Sequence, residues 1–197
     1  SSNLLGSASA LGVVKAFEKC ARKLQVLDLQ FNSLSFNDGK SLFAAFGSSI
    51  LEMNGLPLGQ MLGVDGTAES MYLHGRALRL AELGIVCGCA AQLTRLSTIN
   101  LSNNRITAEG LMLLVSALKD LPHLRNIDLS FNPLTNDGAE MDGILALLAF
   151  AKQSTQLLRI GFEGVLEPGC AEEEALTHSL MANRAVEGHK DGYYFNK

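Results

Sequence analysis

The chain has 197 residues, of which 47% are hydrophobic, and its 16 basic and 20 acidic side chains give a formal net charge of −4. This length allows one sizeable core, and the charge balance offers no cationic face for nucleic acid. The apolar runs are shorter than the roughly 20 residues that span a bilayer, and no basic region with a cleavage site opens the chain. Neither membrane insertion nor export is therefore predicted.

One phrase recurs almost word for word along the chain. It reads LQVLDLQFNSL at residues 24–34, LSTINLSNNRI at 96–106 and LRNIDLSFNPL at 124–134. Each copy has Leu or Ile at offsets 0, 3, 5 and 10 and Asn at offset 8, and the last two copies are 28 residues apart. Such a period indicates an open solenoid of stacked repeats that share one core.

Less regular copies of the phrase begin at residues 48, 68 and 157. The copy at residue 48 places Leu51 and Met53 at offsets 3 and 5, and it lies only 20 residues before the next copy. Because 20 residues leave too little chain for a full helix, an extended or loop-like convex segment is expected after Pro57. This segment contains Gly59, Gly63 and Gly66.

Each regular unit is predicted to be a strand, a turn and a helix. The residues at offsets 3 and 5 alternate as in a strand with one buried face, and the Asn can satisfy backbone groups of the turn. Apolar residues at helical spacing follow at 11–20, 111–118 and 144–151. Because strands pair at about 4.8 Å and helices pack at about 8–10 Å, the stack curves with its strands on the concave wall. One parallel sheet is expected from residues 26–29, 50–53, 70–73, 98–101, 126–129 and 159–162.

The whole chain, residues 1–197, is predicted to be a single domain. Residues 1–20 form a partial N-terminal repeat, residues 21–156 hold the repeats with an irregular stretch at 48–67, and residues 157–197 hold the terminal repeat and a capping helix. A solenoid must cover its apolar ends, and this chain begins in the middle of a repeat. We therefore expect a monomer that is part of a longer chain.

The 28-residue repeats, the Asn-x-Leu turn and entries such as Asn37-Asp38-Gly39 resemble the ribonuclease-inhibitor-like class of leucine-rich repeats. That class includes Ran GTPase-activating proteins and the tropomodulin C-terminal domain. The segment LLRIGFEG followed by EEEALTHSLMANR is similar to the end of tropomodulins. The resemblance implies an α/β fold, a right-handed βα horseshoe segment with a parallel concave sheet and convex helices.

No catalytic site, metal site or cofactor is predicted. The pair Cys87 and Cys89 lacks a second ligand pair at zinc spacing, and the four histidines are scattered without a nucleophile motif. The glycines from Gly59 to Gly66 lack the ending of a phosphate loop. The cysteines are instead expected to be small packed residues in a reducing, cytoplasmic setting.

Partner binding is predicted on the concave wall, because strand residues at offsets 2, 4, 6 and 7 cannot reach the core. Two interpretations remain open for its aromatic and acidic residues. In the first, the aromatic residues shield the turn and the acids simply recur as part of the repeat. In the second, these residues dock a basic or amphipathic protein segment. The candidate residues are Asp28, Gln30, Phe31, Glu52, Tyr72, His74, Asn100, Asn103, Asp128, Phe131 and Arg159.

The function expected from these features is a non-catalytic protein-protein interaction module or scaffold, with no nucleic-acid or membrane partner. The resemblance implies two alternatives. One is a regulator of a small GTPase like the GTPase-activating proteins of the class, and the other is a tropomodulin-like domain that binds actin or the cytoskeleton.

Overall fold

The computed structural model describes residues 24–47, 49–63 and 66–186, together with Gly12 and Ala16. Its strands are β1 (Val26–Leu27), β2 (Glu52–Met53), β3 (Leu56–Pro57), β4 (Ser70–Tyr72), β5 (Thr98–Asn100), β6 (Asn126–Asp128) and β7 (Arg159–Gly161). Its helices are α1 (Phe36–Phe46), α2 (Leu58–Leu62), α3 (Leu80–Ala90), α4 (Ala108–Leu118), α5 (Asp142–Gln153) and α6 (Ala171–Val186). Gly12 and Ala16 are helical, but the rest of the helix predicted over residues 11–20 lies outside the described residues, as does Cys20.

The regular copies form the parallel sheet that their spacing predicts. Strands β4, β5, β6 and β7 pair in parallel and in register. The residues at offset 3 align across this sheet and are buried. They are Met71, Ile99, Ile127 and Ile160. Their side chains face the layer of helices, so the α/β class and the strand-turn-helix unit are confirmed.

The Asn at offset 8 joins neighbouring repeats through its side-chain amide. The Nδ2 of buried Asn104 donates to the carbonyl of Leu73 in the preceding repeat at 2.9 Å. Its Oδ1 accepts the N–H groups of Arg76 at 2.9 Å and Leu78 at 3.1 Å. Asn132 bonds in the same way one repeat later. These bonds satisfy turn groups that would otherwise be buried without partners.

The prediction of one continuous parallel sheet is wrong at the irregular repeat. Over residues 24–47, 49–63 and 66–186, β1, β2 and β3 form one sheet and β4 to β7 another. Strand β3 runs antiparallel to β2 because Asn54 (φ 49°) and Gly55 (φ 72°) turn the chain back on itself. Asn-Gly favours this tight reversal, since both central residues of such a turn need positive φ.

The strand register predicted for this repeat is wrong by two residues. Leu27, at offset 3, pairs with Met53 and not with Leu51. Met53 is fully buried, whereas Leu51 is 62% exposed. Offset zero therefore falls on the buried Ile50 and not on Ser48. The physical reason is that the tight turn at Asn54-Gly55 fixes the register, since it pairs Met53 with Leu56.

The loop-like segment expected after Pro57 is also corrected. A five-residue helix, α2, begins directly at Leu58 and buries Leu58 and Met61. Gly63 (φ 68°) and Gly66 (φ 70°) then lie in the connection to β4. The helix packs against β2, β3, β4 and α3, and it does not separate α1 from α3.

Helices α1 and α3 therefore pack directly on each other. A β-carbon on Gly39 would lie 1.9 Å from the Ala81 carbonyl oxygen, so the two backbones are in contact. Helices α4, α5 and α6 continue the layer. In α6, Leu176 and Leu180 are buried against the core, and Asn183 Nδ2 donates to the Leu157 carbonyl at 2.8 Å.

Candidate functional site

None of the predicted partner-binding residues is buried, but the structure divides them into three groups. The first sheet carries one group, the second sheet carries another, and residues in left-handed turns form the third. The first group is Asp28, Gln30 and Glu52. The second is Tyr72, His74, Asn100, Asp128 and Arg159, and the third is Phe31, Asn103 and Phe131.

The Asp and Asn residues at offset 4 have a structural role in the strand ends. Asp28 Oδ1 accepts the N–H of Gln30 at 2.9 Å, and Asp128 Oδ1 accepts the N–H of Ser130 at 3.0 Å. These bonds support the interpretation that Asp recurs at offset 4 because it is part of the repeat itself. Within the described residues, the second carboxylate oxygen of each Asp accepts no hydrogen bond; Asp28 is exposed and Asp128 is half-buried.

A polar network orders the middle of the second sheet. The hydroxyl of Ser102 donates to Asn100 Oδ1 at 2.7 Å. The Nδ1 of His74 lies 2.9 Å from the same hydroxyl oxygen. Because the single hydroxyl proton is used, His74 donates from Nδ1 and the Ser102 oxygen accepts. This network holds His74 of one repeat to Ser102 of the next.

The aromatic residues do not form one row on the strands. Tyr72 lies on β4 and is 69% exposed. Phe31 and Phe131 have φ of 59° and 57° and lie in the turns after the strands. A β-carbon on Gly164 would come within 2.8 Å of the Phe131 ring, so this ring packs against the next turn. Tyr72 is thus the aromatic candidate that belongs to the concave wall itself.

Sequence reasoning missed a cleft of about 390 Å³ at the turn edge of the first repeat. Arg79 and Arg105 line it, at the start of α3 and in the turn before α4. The guanidinium of Arg79 lies 5.6 Å from the centre of the Phe31 ring, within the range of a cation–π contact. The available signal was the presence of Arg in the turns of two successive copies, at positions 76, 79 and 105.

The cysteines of α3 are packed residues, as expected. Burial raises the pKa of Cys87 and Cys89 from 9.0 to about 12, so both thiols stay protonated near neutral pH. In the ranges that the structure describes, no group of three or more His, Cys, Asp or Glu side chains is placed to hold a metal ion. Nor does any helix in those ranges have the length and apolar character to cross a membrane.

Strand-turn-helix units with an amide ladder define a solenoid of the leucine-rich repeat type. The family described as Leucine Rich repeat matches residues 92–115 and 120–141. The match covers under a quarter of the 197 residues, so in sequence these two segments are similar to leucine-rich repeats. The matched residues contain the two most regular copies of the phrase and their amide ladder.

A solved structure shows the same fold. The tropomodulin C-terminal domain of Caenorhabditis elegans aligns with a TM-score of 0.51 and 13% identity, covering 91% of this chain and 95% of that chain. Actin-Binding Site 2 of leiomodin-1 aligns with a TM-score of 0.49 and 16% identity, covering 68% of this chain and 91% of that chain. No curated protein matches the chain in sequence.

Proposed function

We propose that this chain is a non-catalytic protein-protein interaction module that binds its partner through the concave wall. One observation carries the proposal: Tyr72 is 69% exposed on β4, beside an ordered polar network. A large aromatic side chain held on a rigid strand is a good anchor for a partner, because little entropy is lost when it is covered.

The proposed ligand is a basic or amphipathic protein segment. The carboxylates of Asp28, after β1 of the first sheet, and Asp128, in β6 of the second, supply negative charge, and His74 and Asn100 add hydrogen-bonding groups. The proposed protein is a monomer of a reducing, cytoplasmic compartment, with no nucleic-acid or membrane partner. Association with the cytoskeleton fits the same proposal.

A triple variant tests the wall without disturbing the fold. It combines Tyr72→Ala, Asp28→Asn and Asp128→Asn. Asn keeps the oxygen that accepts the strand-end N–H, as Asn100 does in its own repeat, so only charge and aromatic area are lost. We expect weaker partner capture from cell extract and an unchanged melting temperature. Added salt should slow association of the native chain.

A matched control removes one exposed apolar side chain and two acids away from the wall. It combines Leu145→Ala, Asp120→Asn and Glu174→Gln, all of which are exposed. A photo-crosslinking residue at position 72 should label the captured partner, and one at position 145 should not. Capture that is equal in both triple variants, with labelling from position 145, would contradict the proposal.

The two alternatives implied by the resemblance are tested with the same proteins. Co-sedimentation with actin filaments that is lost in the wall variant would identify actin as the partner. Faster phosphate release from a GTP-loaded small GTPase would instead assign a regulatory role and overturn the non-catalytic scaffold.

A further inference from the structure

The cleft at the first turn contains two cationic groups without carboxylate partners. Within the described residues, neither Arg79 nor Arg105 forms an ion pair. Glu109, which is exposed, and Glu82 also line the cleft, but the Glu82 carboxylate is used by the fold. Its Oε1 accepts from Asn54 Nδ2 at 2.9 Å, and its Oε2 accepts from the backbone N–H of Arg79 at 3.1 Å. The guanidinium groups therefore remain available to a ligand.

The same cleft contains a backbone donor that the repeat leaves without an acceptor. At offset 10 of two later copies, the N–H groups of Leu78 and Ile106 donate to the Asn amide oxygen of the next repeat at 3.1 and 3.2 Å. The corresponding residue of the first copy is Leu34, which is buried and lines the cleft. Within the part of the chain that the structure describes, its N–H has no acceptor.

The cause of this open position is the irregular repeat. Strand β1 pairs with β2 of that repeat, where the Asn54 amide oxygen accepts the N–H of Leu29 at 2.8 Å and not that of Leu34. With Ile50 at offset zero, the residue at offset 8 of the irregular repeat is Leu58, whose side chain has no acceptor atom. An oxygen that Asn supplies in later repeats is thus missing here.

We propose that this cleft binds an acidic segment of a partner protein, whose carboxylate supplies the missing acceptor between Arg79 and Arg105. Guanidinium groups bind carboxylates through paired, charge-assisted hydrogen bonds. The lining also contains apolar side chains, Leu29, Leu80, Leu83 and Ile106, beside the exposed ring of Phe31. That surface suits the hydrocarbon stem of a glutamate or aspartate better than a free phosphate, which has no apolar part.

The charged residues in the turns that follow the strands favour binding of an acidic segment at the first turn. The turns after β6 and β7 carry Asp137, Glu140, Glu163 and Glu167, all exposed. An acidic segment is repelled there and attracted to the first turn, so it meets the solenoid at one end of this row of turns. This site differs from the concave wall in position and in the sign of the ligand, and it does not depend on the function proposed above.

Binding of a fluorescein-labelled hexaglutamate peptide, followed by fluorescence anisotropy, tests the proposal. Hexaglutamine and hexalysine peptides are the controls for charge. The double variant Arg79→Gln, Arg105→Gln should bind hexaglutamate at least tenfold more weakly than the native chain. The matched variant Lys119→Gln, Lys152→Gln, which removes the same charge from the ends of α4 and α5, should stay within twofold.

Hydrogen exchange tests the missing acceptor and not charge alone. We expect hexaglutamate to protect the Leu34 amide of the native chain from exchange, because the peptide carboxylate accepts its N–H. The Arg79→Gln, Arg105→Gln variant should lose this protection.

Three results would overturn the proposal. The first is equal binding by the native chain and the Arg79→Gln, Arg105→Gln variant. The second is tighter binding of hexalysine than of hexaglutamate. The third is loss of hexaglutamate binding in the concave-wall variant at Tyr72, Asp28 and Asp128, which would transfer the ligand to that wall. Failure of the concave-wall proposal alone leaves the first comparison unchanged, so the two proposals are tested separately.

Discussion

The carbonyl oxygen of Phe36 lies 2.0 Å from the position that a β-carbon on Gly84 would occupy. This contact joins the first regular helix to the third, across the irregular repeat. Gly84→Ala should therefore force α1 and α3 apart and lower the free energy of unfolding by about 2–4 kcal/mol, as overpacking does in closely packed cores. Denaturant unfolding measures the change. Gly59→Ala in α2 is the control, since no atom lies within 4 Å of its β-carbon position. Equal losses in both variants would contradict the close contact.

Asn104→Asp tests the amide ladder. The Nδ2 of Asn104 donates to the carbonyls of Leu73, Leu101 and Ser102, and a carboxylate would place an acceptor against these acceptors. We expect a loss of about 3 kcal/mol or more, because the oxygen that replaces Nδ2 would lie against three carbonyl oxygens without a donor of its own. Asn103→Asp is the neighbouring control, because Asn103 is exposed and its left-handed backbone (φ 55°) also suits Asp. Its effect on the unfolding midpoint should be within about 0.5 kcal/mol.

The buried thiols predict a loss of stability in alkali. In the folded chain Cys87 and Cys89 titrate at about 12, but in the unfolded chain they ionise near 9.0. Their contribution is therefore fully present below about pH 9 and is lost as pH rises towards 12, with a slope of up to about 1.4 kcal/mol per pH unit for each thiol. Unfolding measured between pH 8 and about pH 11 should show a steeper decline for the native chain than for Cys87→Ala, Cys89→Ala. Parallel pH profiles would show that the thiols are accessible in the folded chain.

The last helix is expected to stabilise the end of the solenoid through its polar contacts. Asn183 donates to two backbone carbonyls, and Arg184 Nε donates to the Leu158 carbonyl at 2.8 Å. Replacing both side chains with Ala should cost about 1–3 kcal/mol, because these carbonyls lose their donors. His178→Ala, at an exposed position of α6, is the matched control. Thermal unfolding measures the loss. Equal melting temperatures for the native chain and both variants would show that Asn183 and Arg184 do not stabilise the end of the solenoid.

Repeat spacing predicted the regular part of the fold because each repeat buries the same offsets. Met71, Ile99 and Ile127 align as the phrase requires. The structure of the irregular repeat was not predicted correctly, because two sequence signals compete there. Asn54-Gly55 is a strong hairpin signal, but the offsets counted from Ser48 treated both residues as part of a regular copy.

The cleft was missed for a different reason. Phe31 and Arg79 are 48 residues apart in sequence and belong to copies that are not consecutive. They meet because α1 packs on α3, and no repeat spacing encodes that contact. The offset-4 acids, by contrast, were found from the sequence, but their bonds to the strand ends required coordinates.

The boundary between the two sheets has a mechanical consequence. In regular repeats, force along the solenoid is shared by a ladder of backbone hydrogen bonds between strands. From β3 to β4, across the described residues, that ladder is replaced by side-chain contacts such as Asn54 with Glu82 and by the α1–α3 helix pair. A chain stretched from its ends is therefore expected to yield first at this boundary. The two parts on either side would then extend independently of each other.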